Sequence, residues 1–508
     1  MPNLYRAGVL EWIWLGAGLA CLAAAAWALA GRRFPSERRG AAWAAWGAGV
    51  PVLFVYFKLS QFRAYESMLD SAVMVNLAWN AAHGHGLTSS LLGGVSYWSV
   101  HFAFAYALLS PMILIWPSAT PFFVLHGLAL GSVPLCAYLL ARGRGGRDGL
   151  GWLAAALAVG HPFVCGILGT VLDNSSFALP LFLWAAYCWE SERRMTAAVL
   201  ALLMLSTRET IPFLFAGVGA VAWMKALDRR GRMRAGGLIA ASAVLWLFEL
   251  HVIEGAKAAS GVVFDYWALY PSLGGARGAV VGNLWRRPWL IPAALVWPPL
   301  KVWHAAKLFL SLALLPLASG AALLPLLAVW LPQQLGDVSS NFHLLVGHQA
   351  SYVAGPAIWA AIVGLRRLDA RLDAGGRRRL AAWVLAVAGC GFFTTAQFRL
   401  PPGALPSSWE RSGPRALAAV PAGDAVWSDY FFATHLAARR FIKVLPLGEE
   451  PAFDSGRFEP DSVLMSRHWL ARAAPAVSAR VLTAIKARGL VPIFDEGDLV
   501  VFSSPKTH

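Results

Sequence analysis

The chain has 508 residues, 58% of them hydrophobic and only 14% charged, and its mean hydropathy is +0.55. Soluble domains carry about a quarter charged residues, so this composition excludes an ordinary water-soluble enzyme and indicates a polytopic membrane protein. A formal charge of +16 could suit nucleic acid, but the cations are gathered in a few short connections, which argues against that partner.

A bilayer crossing needs about 20 apolar residues. In chain order, clear candidates are 9–30, 41–59, 121–141, 149–168, 236–253 and 380–397, and shorter ones are 176–189, 195–207, 211–227, 305–318, 320–332 and 352–365. The first run lacks a basic segment followed by a small-residue cleavage site, so it reads as a retained helix. The basic connections "GRRFPSERRG" (31–40), "RGRGGR" (142–147), "ESERR" (190–194), "KALDRRGRMR" (225–234) and "RRLDARLDAGGRRR" (366–379) mark the cytoplasmic side. All five face one way only if "VHFAFAYALLSPMILIW" (100–116) lies in the interface or re-enters. Its 17 residues and Pro111 fit that reading. The outer elements are then 60–120, 169–175, 207–210, 254–304, 333–351 and the tail from about 398. The five cysteines sit in hydrophobic runs without CxxC spacing and read as small packing residues.

The tail changes character. Strand-like "VLMSRH" (463–468) and "GDLVVFSS" (497–504) flank a helical "AVSARVLTAIKARG" (476–489), behind a Pro- and Ser-rich stretch at 399–414. The expected fold is an all-α polytopic membrane protein of about 12 transmembrane helices with a small extracytoplasmic α/β C-terminal domain. The expected units are an extra N-terminal helix with its basic loop (1–40), a membrane domain (41–398), a linker (399–414) and the small domain (415–508).

Polar residues at the outer surface need explaining. "YESMLDSAVMVNLAWNAAHGHG" (65–86) carries Glu66, Asp70, His83 and His85 just after the second expected span. Asp70 is placed to act as a general base, or it is a solvated or capping carboxylate. His83, His85 and His101 are each compatible with hydrogen bonding alone, and two His at i, i+2 are a weak metal signal. Asp173 in "TVLDNSS" (170–176) and Glu209 in "STRET" (206–210) bring acids to the same level. Asp173 could simply cap the next helix, and Glu209 could pair with Arg208. Three such turns suggest one shared polar cavity. The segment 283–307 holds Arg286, Arg287, Lys301, His304 and Lys307 among four tryptophans. It reads either as an interfacial anchor belt or as a site for a lipid phosphate.

"LDSAVMVNLAWNAAHGHG" (69–86) resembles the opening motif of a family of bacterial and archaeal membrane proteins, domain of unknown function 2079, roughly F-D-L-G-I-F-D-Q-A-L-W-N-x-x-H-G. Asp70 falls on its first Asp, Asn76 on its Gln, and Trp79-Asn80 and His83-Gly84 match directly. Val75 replaces its second Asp. His101-Phe102 match the start of a His-Phe-Ser-Pro element, and Arg208-Glu209-Thr210 stand for Lys-Glu-Asp. "LDNSSF" (172–177) keeps only Asp173 of Phe-Asp-Phe-His-Pro-Glu, with Ser175 and Phe177 where the His and Glu would be. "YPSLGG" (270–275), "GHQASY" (347–352) with His348 and Tyr352, and "THLAARRFIKVLP" (434–446) also fit. The likeness covers about residues 45 to 505.

That family is similar in architecture to GT-C glycosyltransferases, which take a sugar from a polyprenyl-phosphate and use an acid in the first outer loop as base. The resemblance implies Asp70, with Asp173 and Glu209, as catalytic acids. It further implies His83, His101, Arg208, Arg286, Arg287, Lys301, His304, His348 and Tyr352 as residues that bind substrate. The partners implied are a polyprenyl-phosphate sugar, an envelope glycan, lipid or protein acceptor, and membrane lipids in a bacterial plasma membrane, with no nucleic acid. No cofactor is required, although a divalent metal is compatible. The alternatives are a transporter or lipid flippase, or a noncatalytic envelope-assembly protein.

Overall fold

The computed structural model describes residues 36–65, 69–143, 147–169, 172–261, 266–336, 350–395, 409–447 and 458–505. Most of them are helical. The first helix, α1 (Ser36–Arg63), lies against Thr120–Gly131 with almost no side chain between them. A Cβ on Gly127 would stand 2.6 Å from the Val55 Cα, and one on Gly131 would stand 2.4 Å from the Pro51 Cα. This spacing of small residues is how helices approach closely in a bilayer, where dispersion replaces the hydrophobic effect.

Twelve crossings are expected, and the described helices meet the length and hydropathy of a span at fewer places. Among the described residues three helices are long and apolar enough to cross: Thr120–Arg142, Arg229–Ser260 and Leu315–Leu335. A fourth candidate is the pair Asp148–Gly160 and Pro162–Gly169, bent by 47° where Pro162 cannot continue the helical hydrogen bonding. Other expected spans are shorter than their apolar runs. Arg194–Leu205 has 12 residues and Ile211–Lys225 has 15. At 1.5 Å per residue these reach about 18 to 23 Å, less than a hydrocarbon core of about 30 Å. The 100–116 segment contains only the short apolar helix Ala105–Ile115. The expected span 9–30 lies outside the described residues.

The C-terminal part contains a five-stranded sheet. A two-residue ribbon, β1 (Thr88–Ser89) with β2 (Val95–Ser96), precedes it in the chain. The sheet strands are β3 (Val426–Ser428), β4 (Ile442–Val444), β5 (Ser462–Ser466), β6 (Val491–Glu496) and β7 (Leu499–Ser503), in spatial order β4-β3-β5-β7-β6. β3 runs parallel to β4 and β5, and β7 runs antiparallel to β5 and β6. The strands expected at 463–468 and 497–504 correspond to β5 and β7, and the expected helix at 476–489 is Pro475–Ala487. β5 is buried on both faces because its side chains alternate between two cores. Leu464 points into a cluster with Phe62, Tyr65, Leu77, Phe123, Trp409, Phe432 and Val501. Val463 and Met465 point into another with Trp469, Val477, Val481 and Ile485.

The first of these cores joins the sheet to the end of α1 and to the loop helix α2 (Leu69–Ala82). The sheet is therefore packed on the membrane part. His435 stacks on Phe62 at 3.9 Å, and its Nε2 meets the Phe62 carbonyl at 2.9 Å. The stretch expected as linker, 399–414, ends in structure: the helix Trp409–Ala419 begins inside it. Trp409 is buried, donates its indole N–H to Asp498 at 2.9 Å and meets Tyr65 edge-on. A tryptophan with both an apolar pocket and an acceptor holds its backbone in place.

Candidate functional site

The site starts from α2. Asp70 stands in the first turn of that helix and is exposed, where the positive end of the helix dipole favours a carboxylate. One turn further, Asn76 is buried and uses its whole amide. It donates to the carbonyls of Ala437 (3.3 Å) and Arg439 (2.6 Å), and accepts from the Ser89 hydroxyl (2.8 Å) and the Ser90 N–H (3.1 Å). Asn80 donates to the Thr88 carbonyl at 3.0 Å. These two residues lock α2 to the ribbon and to the sheet. His83 accepts a similar structural part. It stacks on Trp79 at 3.9 Å, and its Nδ1 meets the Trp79 carbonyl at 2.8 Å where the helix ends.

After the ribbon the chain turns at Tyr97–Ser99, with Ser96 accepting from the Trp98 N–H. The Tyr97 hydroxyl lies 3.5 Å from that of Tyr106, which donates to Asn174 Oδ1 at 2.9 Å. Asn174 in turn donates to the Thr207 carbonyl at 2.5 Å. Three turns, 97–106, 173–177 and 207–210, are thereby joined through polar side chains. Asp173 caps its own turn: Oδ1 accepts the Ser175 N–H at 2.8 Å and also the Ser175 hydroxyl.

Glu209 is the centre of the polar group. Its oxygens meet His101 Nδ1 at 2.9 Å and the Phe102 N–H at 3.2 Å, and Arg208 Nε lies 3.7 Å away. The Tyr266 hydroxyl donates to the Val100 carbonyl at 2.6 Å and sits 3.1 Å from His101 Nε2. The Lys257 ammonium lies over the Tyr266 ring, 5.3 Å from its centre. Burial alone would raise the Glu209 carboxyl, but His101 and Arg208 more than offset it and hold it below the ordinary range. Burial, then the Arg208 charge, pull His101 down despite Glu209. The pair is therefore an ionised Glu209 and a neutral imidazole donating Nδ1–H, with Arg208 supplying the countercharge.

Asp70 bears on this group only through its weak electrostatic effect on Tyr97. Burial and then Asp173 raise the Tyr97 hydroxyl well above its ordinary value, with Arg208 opposing and Asp70 adding a smaller push. Tyr352 is buried with Arg208, Glu209 and Asp173 in electrostatic range. The structure thus gathers Asp173, Arg208, Glu209, His101 and Tyr352 around Tyr97 and Tyr266, with Asp70 in electrostatic range of Tyr97 alone among them. His348 lies outside the described residues.

The cations of 283–307 are elsewhere and divided. Arg286 and Arg287 are exposed beside Trp285 and Trp289, whereas Lys301 is buried with its ammonium donating to the Ala294 carbonyl at 2.6 Å. His304 is buried on the same helix, Leu300–Leu310. Among the described residues no group of three or more His, Cys, Asp or Glu could hold a metal ion. Sequence reasoning passed over Tyr97, Tyr106, Asn174 and Tyr266. For the tyrosines a signal was there: the chain has only 11, and Tyr97, Tyr106 and Tyr266 fall in segments expected to lie between the spans.

Comparison with curated proteins finds no match. The model of one protein family, described as a predicted membrane protein (DUF2079), matches residues 65–480, from the turn before Asp70 through most of the sheet. The chain belongs to the DUF2079 family of membrane proteins.

Proposed function

We propose that this protein is a membrane glycosyltransferase that moves a sugar from a polyprenyl-phosphate to an acceptor hydroxyl, outside a bacterial plasma membrane. The observation that carries the reading is the position of Asp70. An exposed carboxylate in the first turn of α2 lies within electrostatic range of the buried Tyr97, which Arg208 and Asp173 also reach. Asp70 takes the acceptor O–H proton as the acceptor oxygen bonds to the anomeric carbon. The bond from that carbon to the phosphate oxygen breaks, and the phosphate leaves with the electron pair. Arg208 is the cation placed to stabilise that charge, with the His101–Glu209 pair fixing its position. The polyprenyl chain lies in the bilayer beside the site.

The direct test is analysis of envelope glycans and polyprenyl-phosphate sugars in a deletion strain, complemented with the wild type or with Asp70→Asn. The reading expects a glycan lost on deletion, restored by the wild type and not by Asp70→Asn. Restoration by both would refute it. The orientation is tested separately. A cysteine replacing Ser478 should react with an impermeant thiol reagent in intact cells, and one replacing Arg230 should not.

A transporter is the second reading, favoured by ionisable groups inside helices. Glu249 is buried in Arg229–Ser260 with its Oε2 lacking a hydrogen-bond partner, and Lys58 and His126 are buried in their helices. The bend at His161 adds a broken helix. In that case Glu249→Gln would stop flux of a substrate that is never chemically changed, while Asp70→Asn would leave it intact.

A further inference from the structure

The proposed transfer makes no use of residues 277–307. Their three helices, Arg277–Arg286, Leu290–Val296 and Leu300–Leu310, have 10, 7 and 11 residues. At 1.5 Å per residue they reach about 10 to 17 Å, too short to cross a hydrocarbon core of about 30 Å. They are fastened instead to the end of a helix that is long enough. Gln334, in the last turn of Leu315–Leu335, donates its amide N–H groups to the Leu295 and Lys301 carbonyls, each at 2.9 Å. The Lys301 ammonium turns inward to the Ala294 carbonyl. Leu273, Val280 and Ala294 form a small core, and Leu335 packs against it.

The side turned away from these contacts is aromatic and basic. Trp285, Trp289, Trp297 and Trp303 are each more than half exposed. A water-soluble surface seldom leaves so many indoles bare, whereas the headgroup layer of a bilayer holds them, ring toward the lipid and N–H toward water. The charge is of one sign. Residues 266–336 contain Arg277, Arg286, Arg287, Lys301 and Lys307 and no Asp or Glu. All of these cations except Lys301 are exposed. None of the four exposed ones is in an ion pair among the described residues.

We propose that 277–307 is an interfacial platform that lies against the headgroup layer and binds anionic lipid. Position and charge choose this occupant together. The end of a span-length helix stands at the membrane interface, the depth at which tryptophan and arginine side chains are best accommodated. Arg286 and Arg287 offer forked donors for lipid phosphates, and an anionic surface attracts each cation that has no carboxylate partner. A second copy of this chain docked by the same face would bring its own arginines against these and be repelled. The bonds from Gln334 and Lys301 hold the platform from behind, so the lipid meets a surface already formed. Its role does not depend on the transfer reaction.

The test is amide hydrogen exchange on the full chain in nanodiscs of phosphatidylcholine, alone or with about one third phosphatidylglycerol. The anionic lipid should slow exchange at 281–303 about three- to tenfold. The double variant Arg286→Ala, Arg287→Ala should lose most of that difference. Unchanged exchange in Leu315–Leu335 and across β5 and β7 shows that it is folded. Trp285→Ala with Trp289→Ala should instead quicken exchange in both membranes and keep the difference between them. No slowing by phosphatidylglycerol, slowing that survives the arginine double variant, or a tryptophan variant that exchanges as the wild type does would overturn the proposal. Protection that rises with the number of protein copies per nanodisc, and not with anionic lipid, would assign the face to a second copy and overturn it as well.

Discussion

Arg208 and Arg287 are the same residue type in equally apolar stretches of sequence, yet the structure treats them in opposite ways. The Arg208 side chain is 11% exposed and sits 3.7 Å from a buried carboxylate contributed by its neighbour. Arg287 is exposed, beside Trp285 at 88% and Trp289 at 64% exposure. A buried cation has lost its water and must be paired. An arginine among exposed tryptophans keeps its head in water or among lipid headgroups while its stem covers apolar surface. Proximity to aromatic residues in sequence therefore does not identify a phosphate site. A carboxylate on the next residue, itself held by a histidine from another turn, does more to fix a cation in place. For this reason the proposed mechanism gives the leaving phosphate to Arg208, one of the cations expected from the sequence, rather than to those of 283–307.

The largest expected effect comes from breaking the buried pair. Arg208→Met leaves Glu209 ionised and buried, which typically costs about 3–5 kcal/mol. Thermal unfolding in detergent should show the loss, and adding Glu209→Gln should recover much of it. An Arg208→Met variant as stable as the wild type would erase the distinction between the two arginines. Asn76→Ala comes next, at about 1–3 kcal/mol, because the carbonyls of Ala437 and Arg439 lose a buried donor. Its signature is local: amide exchange should quicken in α2 and in 426–444 before it quickens in Arg229–Ser260.

A smaller effect depends on pH. Burial lowers His435 from 6.5 to about 4, against a raising effect from its bond to the Phe62 carbonyl. The folded state thus prefers the neutral ring, while the unfolded chain takes up a proton near 6.5. The stability that this ring contributes is complete above that value and is lost as pH falls toward 4. The contact between sheet and α1 should loosen over that window, read by exchange at 431–437, and His435→Gln should flatten the dependence. The smallest effect is expected at the surface. Arg286→Ala and Arg287→Ala should change stability by no more than about 0.5 kcal/mol and leave donor binding unchanged. A tenfold loss of donor affinity in either would return the phosphate site to that segment.

The membrane character and three elements of the tail were legible because each leaves a local pattern. Apolar runs, basic connections and the strand-like "VLMSRH" need no knowledge of distant residues. The expected crossings rest on the same local pattern, and it does not show where a helix breaks. An apolar run at 149–168 looks continuous until Pro162 bends it. β3 and β4 were missed because each has only three residues, and their stability comes from parallel neighbours far away in the chain. In the site, Glu209 was found by its position, but its partner His101 is 108 residues away and had no spacing to reveal it. Asn76 shows the reverse error. It lies in the motif that drew attention to Asp70, yet its amide is wholly occupied in holding α2 to the sheet.

The central claim is that Asp70 removes a proton and does nothing else. It is tested most directly with purified protein and one labelled polyprenyl-phosphate sugar, measuring donor binding and single-turnover transfer side by side in the wild type and Asp70→Asn. General-base catalysis typically contributes about 10² to 10⁴ in rate, so transfer should fall by that factor while the donor binds with unchanged affinity. Transfer by Asp70→Asn at the wild-type rate would contradict the account and leave Asp70 as a carboxylate at a helix terminus.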